Sequence, residues 1–263
     1  PGRIKKYVED ADLIWVNSAA SLGASAILAA NKLEKPVIAY IHSLEWEQLT
    51  HIVMKNKALK KLLIFFVSRF GKYLYNKCDL LMVSSKSVAE EIKQKGIKTR
   101  KVIVPLGVEC EKFCPTDKEK AKKALGIDPR KIVIGYCGRM SKEKDIPTLS
   151  KAFRRLQHHY FNLFLLIIGD GRKEDITEFV KKNYRITGFV SNVEKYLQAL
   201  DIFVLPSLTE TTSLATLEAM SCGVAPITTK VGCTQEYIEN GFNGFIFPKE
   251  NVDVLCAKIE RLI

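Results

Sequence analysis

"DIFVLPSLTETTSLATLEAMSCG", residues 201–223, reads as a strand, a polar loop and a helix in succession. Four apolar residues, Ile202 to Leu205, run into Pro206, which cannot donate to a sheet and so closes the strand. From Leu214 onward, Leu214, Leu217, Met220 and Ser221 fall at helical spacing. Between strand and helix stand Glu210 and three hydroxyl residues, Thr211, Thr212 and Ser213, any of which caps a helix. Glu218 follows within the helix, eight positions after Glu210.

The same alternation recurs along the chain. A first series of apolar runs reads "ADLIWVN" (11–17), "KPVIAYIH" (35–42), "DLLMVSS" (79–85) and "KVIVPLG" (101–107). A second reads "KIVIGYCG" (131–138), "LFLLIIGDG" (163–171), "RITGFV" (185–190), "DIFVLPS" (201–207), "VAPITT" (224–229) and "GFIFP" (244–248). Amphipathic stretches such as "SVAEEIKQKG" and "TLSKAFRRLQHHY" lie between them. Continuous apolar strands alternating with such helices specify parallel sheets covered on both faces. The fold class is therefore α/β, with two doubly wound, Rossmann-like domains. A polar, lysine-rich stretch at 107–131 with one short helix (117–125) separates the two series, placing the domains at 1–107 and 108–263. The second reads as complete; the first is expected to lack about three strands of an ordinary sheet.

The chain has 263 residues, 47% of them hydrophobic, which is ample for two cores. Its longest apolar run, "LLIFFV" (62–67), is far short of the roughly 18 residues a membrane span needs. The seven cysteines contain no C-x-x-C pair, and nothing near Cys110 and Cys114 completes a zinc site. A reduced, cytoplasmic setting is expected. The net charge of +12 is spread over lysines, without an arginine-rich tract or nucleic-acid motif. Phosphorylated small substrates or an anionic membrane surface are the expected partners, and nucleic acid is not.

Doubly wound sheets bind ligands outside the carboxyl ends of their strands. There, "GYCGRMSKEKD" (135–145) supplies Arg139 and Lys144, cations suited to a diphosphate. "IIGDGR" (167–172) lacks the third glycine of a dinucleotide fingerprint but permits close backbone approach. The free amides of Ser213, Leu214 and Ala215, where the helix starts, make an anion site. Glu218, about one and a half turns in, reaches the same mouth, and a carboxylate suits a vicinal diol such as ribose. Glu210, in the loop, can address a second polyol. Cations and a helix terminus for phosphates, with carboxylates for sugars, describe a nucleotide sugar.

On these residues the chain resembles the retaining glycosyltransferases of family 4, which have the GT-B fold. The family's E-x7-E motif matches Glu210 and Glu218, and its G-R-x-x-x-x-K element matches Gly138, Arg139 and Lys144. "VSSKSVAEEIKQKG" (83–96) with "KVIVPLGVECEKF" (101–113), and "GVAPITTKVGCTQEYIENGFNGFIFP" (223–248), are similar to further family segments. The resemblance implies two domains facing a cleft and transfer of a hexose from a nucleoside diphosphate sugar to an acceptor hydroxyl, with retention, without cofactor or metal. It implies that Arg139, Lys144 and the amides of Ser213 and Leu214 bind the diphosphate. Glu218 would hold the ribose, and main chain near Ile186 would meet the base. Glu210 would contact the transferred sugar, as would His42 in "YIHS"; these two are the catalytic candidates. An epimerase of the same fold and a silent nucleotide-sugar-binding subunit are the alternatives. A glycan or lipid acceptor is implied, and residues 55–77, basic and apolar together, are expected to touch the cytoplasmic face of a membrane. The chain departs from the family at Thr212 and Ser213 (usually Phe-Gly), at Asp145 and Cys233 (usually glycine), and in showing no glycine-rich loop near residue 1.

Overall fold

The computed structural model describes residues 2–42, 57–178, 180 and 182–263, which form two compact units, Pro1–Leu106 and Gly107–Ile263. The expected strands are present in both. In the first unit, β1 (Ile14–Val16), β2 (Val37–Ile41), β3 (Leu80–Val83) and β4 (Lys101–Ile103) form a parallel sheet in the order β1-β2-β3-β4. Helices α1 (Gly2–Glu9), α2 (Ser21–Lys32), α3 (Lys57–Tyr75) and α4 (Lys86–Gln94) accompany it. The core gathers Ile27, Val37, Ile41, Leu74, Tyr75, Leu81, Val83 and Ile92. Each helix contributes its apolar stripe; α4 buries Val88 and Ile92, four apart, and is capped by the Ser85 hydroxyl, which accepts from the Val88 amide. Because the strand order runs one way, the described part of this unit contains no point where neighbouring loops diverge.

The second unit does contain one. Its strands are β5 (Ile132–Cys137), β6 (Leu163–Ile168), β7 (Tyr184–Ile186), β8 (Ile202–Leu205), β9 (Ala225–Thr229) and β10 (Phe245–Phe247). All pair in parallel, in the order β10-β9-β8-β5-β6-β7. The chain therefore builds outward from β5 to β7, returns to β5's other side, and builds outward again from β8 to β10. The loops after β5 and β8 consequently part company above a shared seam, where Ile134 is in register with Ile202.

Helices α5 (Lys118–Ala124), α6 (Ile146–Leu156), α7 (Glu174–Thr177), α8 (Val193–Leu197), α9 (Leu214–Ser221), α10 (Thr234–Tyr237) and α11 (Val252–Glu260) belong to this unit. In α6, Ile146, Leu149, Ala152, Phe153 and Leu156 are buried while Lys151, Arg154 and Arg155 face outward. Pro147 in its first turn costs nothing, since the amide it lacks would have no intrahelical partner there. One expectation changes. "RITGFV" was expected to run as a strand to Val190, but β7 stops at Ile186 and residues 187–190 form a loop.

At the opposite end of the sheet the buried Lys122 closes the fold. Its Nζ donates to Asp201 Oδ2 at 2.6 Å and to the Lys131 carbonyl at 2.8 Å, and the same carboxylate oxygen accepts from the Val133 amide at 2.7 Å. This ties α5 to the starts of β5 and β8. Lys122→Ala leaves the partly buried Asp201 with the Val133 amide and, as a counter-charge, the more distant Lys118 at 3.6 Å. The expected loss in urea-unfolding stability is about 3 kcal/mol, the lower end for breaking a buried pair.

Candidate functional site

The loops above the seam meet through one short contact. Lys144 Nζ donates to Glu210 Oε1 at 2.6 Å, the side chains being 22% and 11% exposed. Ser207 Oγ donates to the same oxygen at 2.9 Å. The main chains are joined as well, the Leu208 amide donating to the Glu143 carbonyl at 2.7 Å.

Two backbone features aim these groups. Asp145, following Lys144, sits in the left-handed region at φ 46°, ending a 3-10 turn (Lys142–Lys144) and starting α6. This is why glycine is the usual residue here, and Asp145 offsets the cost by accepting from Thr148 Oγ1 at 2.6 Å. Burial raises its pKa above the ordinary carboxylate value, although the Thr148 bonds oppose the rise. Gly232, at φ 49°, lies under the second loop, where an added Cβ would stand 2.2 Å from the Thr211 carbonyl oxygen and 2.7 Å from that of Glu210. Cys233 beside it has φ −94° and needs no glycine; its amide donates to the Thr211 carbonyl at 3.0 Å.

Arg139 is 77% exposed, its Nη2 donating to Glu143 Oε1 at 3.2 Å. Burial works against ionisation of Glu143, but the Ser141 hydroxyl and Arg139 outweigh it and hold its pKa below the ordinary value. Ser213 is the N-cap of α9. Its hydroxyl accepts from the Thr216 amide at 3.3 Å and from Thr216 Oγ1 at 2.8 Å, which holds the helix start in place. The Leu214 and Ala215 amides lie in the first turn, where helix geometry offers no acceptor. Glu218 is half-buried, and burial raises its pKa while Lys112 partly opposes the rise.

Beside these groups opens a cavity of about 520 Å³ lined by Gly138, Arg139, Gly169, Gly171, Phe189 and Val193, among others. Ile186 packs on the core; the loop beyond it presents Phe189, 89% exposed, to the cavity instead. Phe189 went unnoticed because a strand running to Val190 would have made it one residue of a ladder. Tyr237 was also missed: its buried hydroxyl comes near Ser213 and Thr216 without meeting hydrogen-bond geometry with either.

His42 lies in the first unit, exposed just after β2, its ring 4.5 Å from that of Tyr40. The structure thus brings Arg139, Lys144, Glu210, Ser213, Leu214 and Glu218 to the carboxyl end of one sheet, while His42 stands at that of the other.

The fold, with two parallel-sheet Rossmann-like units, is that of the GT-B glycosyltransferases. The chain belongs to the glycosyl transferases group 1 family, whose model matches residues 117–263, and residues 1–112 match the model of Glycosyltransferase Family 4. It is 26% identical over 272 residues to the alpha-monoglucosyldiacylglycerol synthase of Acholeplasma laidlawii, covering 94% of this chain and 67% of the relative. It is 25% identical over 269 residues to the UDP-Gal:alpha-D-GlcNAc-diphosphoundecaprenol alpha-1,3-galactosyltransferase of Escherichia coli, covering 97% and 67%. Anabaena HepE, solved in complex with UDP and glucose, superposes with a TM-score of 0.84 at 18% identity, covering 99% of this chain and 70% of that one. The chain spans about two thirds of the length of these curated relatives.

Burial of Glu218 has a measurable consequence. Its folded pKa lies above its unfolded one, so between the two values the folded state holds more protons and stability falls as pH rises. Glu218→Gln is therefore expected to raise Tm by about 1–3 °C near pH 7. The gain should vanish in scans near pH 4, where Glu218 is largely protonated folded or unfolded.

Proposed function

We propose that the chain forms the donor-binding part, and some of the acceptor side, of a retaining, metal-independent hexosyltransferase. It moves a hexose from a nucleoside diphosphate sugar to a hydroxyl of a glycan or lipid acceptor. The observation that carries this is the Lys144–Glu210 contact, which sets a phosphate-type cation against a sugar-type carboxylate at the sheet's seam. In this reading Arg139, Lys144 and the Ser213 and Leu214 amides receive the diphosphate, Glu218 the ribose, and the cavity edged by Phe189 the base. Main chain near Ile186 meets the base in this reading, and Phe189, in the loop after it, stacks on the ring.

As the anomeric C–O bond breaks, negative charge grows on the departing diphosphate, where Arg139, Lys144 and the helix terminus offset it. Positive charge grows on the sugar, which Glu210 faces; His42, in the first unit, is the second catalytic candidate. The acceptor oxygen bonds to the anomeric carbon on the face the diphosphate leaves, and the acceptor proton passes to a diphosphate oxygen. Release of free nucleoside diphosphate only when an acceptor is supplied, undiminished by excess chelator, is the expected result. Sugar inversion without acceptor would instead support an epimerase, and nucleotide binding without turnover a silent subunit.

Glu210 and Glu218 then do different work. Glu218→Ala is expected to weaken nucleoside diphosphate binding by about 10- to 150-fold, the worth of a hydrogen bond to a charged group. Glu210→Ala frees Lys144, so binding of the free nucleotide stays intact or tightens while kcat falls. Calorimetry beside turnover assays separates the two; equal damage to binding would overturn the division.

A lipid acceptor is supported by both relatives' names, one for a glucosyldiacylglycerol and the other for a diphosphoundecaprenol substrate. It is supported too by α3. At 100° per residue, Leu59, Leu62, Phe66, Phe70 and Tyr73 fall within about 80° of arc. All five are exposed, whereas Gly71, Leu74 and Tyr75, further round the helix, are buried. Arg69 borders this arc, with Lys72 and Lys61 further round the same side, and residues 55–77 contain no acid; residues 55 and 56 lie outside the described residues. Among the described residues no helix is long and apolar enough to cross a membrane, so contact would be peripheral, through an apolar strip with a cationic border. In flotation, the chain should rise with phosphatidylglycerol vesicles, less so at high salt and much less with Phe66→Asp. Equal recovery with neutral vesicles at all salt concentrations would remove the membrane contact.

A further inference from the structure

We infer that Glu194 is a second ribose-binding carboxylate, working beside Glu218 with Lys112 shared between them. This rests on the donor site proposed above. Glu194 is the second residue of α8, next to Val193, which lines the cavity. Its side chain is 16% exposed, and its Oε2 is buried without a hydrogen-bond partner. Lys112 Nζ stands 3.9 Å from that oxygen, close enough for attraction but beyond hydrogen-bond reach.

Glu218 lies close by. Lys112 acts on its charge, and both carboxylates act on the buried Cys222 thiol, whose pKa is pushed up to about 11 chiefly by burial. Glu218 also acts on the Cys137 thiol at the end of β5. Two partly buried carboxylates, one on α8 and one on α9, thus share one cation, Lys112, beside the cavity-lining Val193.

A buried carboxylate oxygen without a donor is costly, and such groups are normally satisfied. The missing partner must bring O–H or N–H donors and no negative charge, which excludes the diphosphate. A ribose brings two vicinal hydroxyls. With Glu218 accepting from one, Glu194 accepts from the other, and Lys112 tempers the repulsion between the carboxylates. Glu194 matches neither motif element, which is why the sequence did not single it out.

The test measures binding to the 263-residue chain by calorimetry, using whichever of UDP and GDP it binds more tightly, with the 2′-deoxy and 3′-deoxy analogues. Wild type should favour the ribonucleotide over at least one analogue by about tenfold or more. Glu194→Ala should lose that preference for one hydroxyl, and Glu218→Ala for the other, while Glu194→Gln, which keeps an acceptor oxygen, retains part of it. A preference unchanged in Glu194→Ala but lost in Glu218→Ala would overturn the inference and leave Glu194 a counter-ion of Lys112. Preferences unchanged in both variants, or no binding of either nucleotide by wild type, would instead overturn the donor-site proposal on which it rests.

Discussion

Lys144 and Glu210 sit on loops that leave neighbouring strands in different directions, and their contact is what closes the site. Neither is well solvated, so each needs the other: an isolated charge at that exposure would be costly, while the pair, with Ser207 as a third partner, is satisfied. The surrounding backbone serves this contact. Asp145 accepts a left-handed conformation so that the chain can turn into α6 directly after Lys144. Gly232 leaves no side chain beneath Glu210 and Thr211, and the Leu208 amide fastens the second loop to Glu143. The Thr229 hydroxyl, buried at the end of β9, donates to the Ser207 carbonyl and anchors the same loop from below.

Around that contact the charges are sorted by the chemistry they would meet. Positive groups and unpaired amides gather where the loop after β5 faces the start of α9. Carboxylates stand on either side, Glu210 before the helix and Glu218 within it. Ser213 shows how economically the helix start is built, since its hydroxyl satisfies Thr216 and leaves the first amides for an incoming anion.

The first unit follows a different logic. Its sheet runs in one direction and, among the described residues, collects no comparable set of charges; its conspicuous surface is α3, whose exposed strip is apolar rather than polar. A helix that buries one face and leaves a second apolar face in water is not explained by its own fold. The placement of cations along its border, with no acid among them, is what points to an anionic surface.

Much of this was legible from residues alone. Continuous apolar runs such as "IVIGYC" and "LFLLII" between amphipathic helices fit a covered parallel sheet, so the class of fold and its strands followed from composition and period. Arg139, Lys144, Glu210 and Glu218 stood out because charged residues directly after such strands have no structural need to be there. What the sequence could not determine depends on contacts between segments distant along the chain. The partnership of Lys144 with Glu210 spans 66 positions, and that of Lys112 with Glu194 spans 82. The exposure of Phe189 depends on β7 stopping at Ile186, which side-chain pattern does not signal because Thr187 to Val190 suit a strand equally well. Local propensity and hydrophobic period act over a few residues and so were enough to draw the strands and their loops. The order in which the strands assemble set which loops meet, and with it which charges became partners.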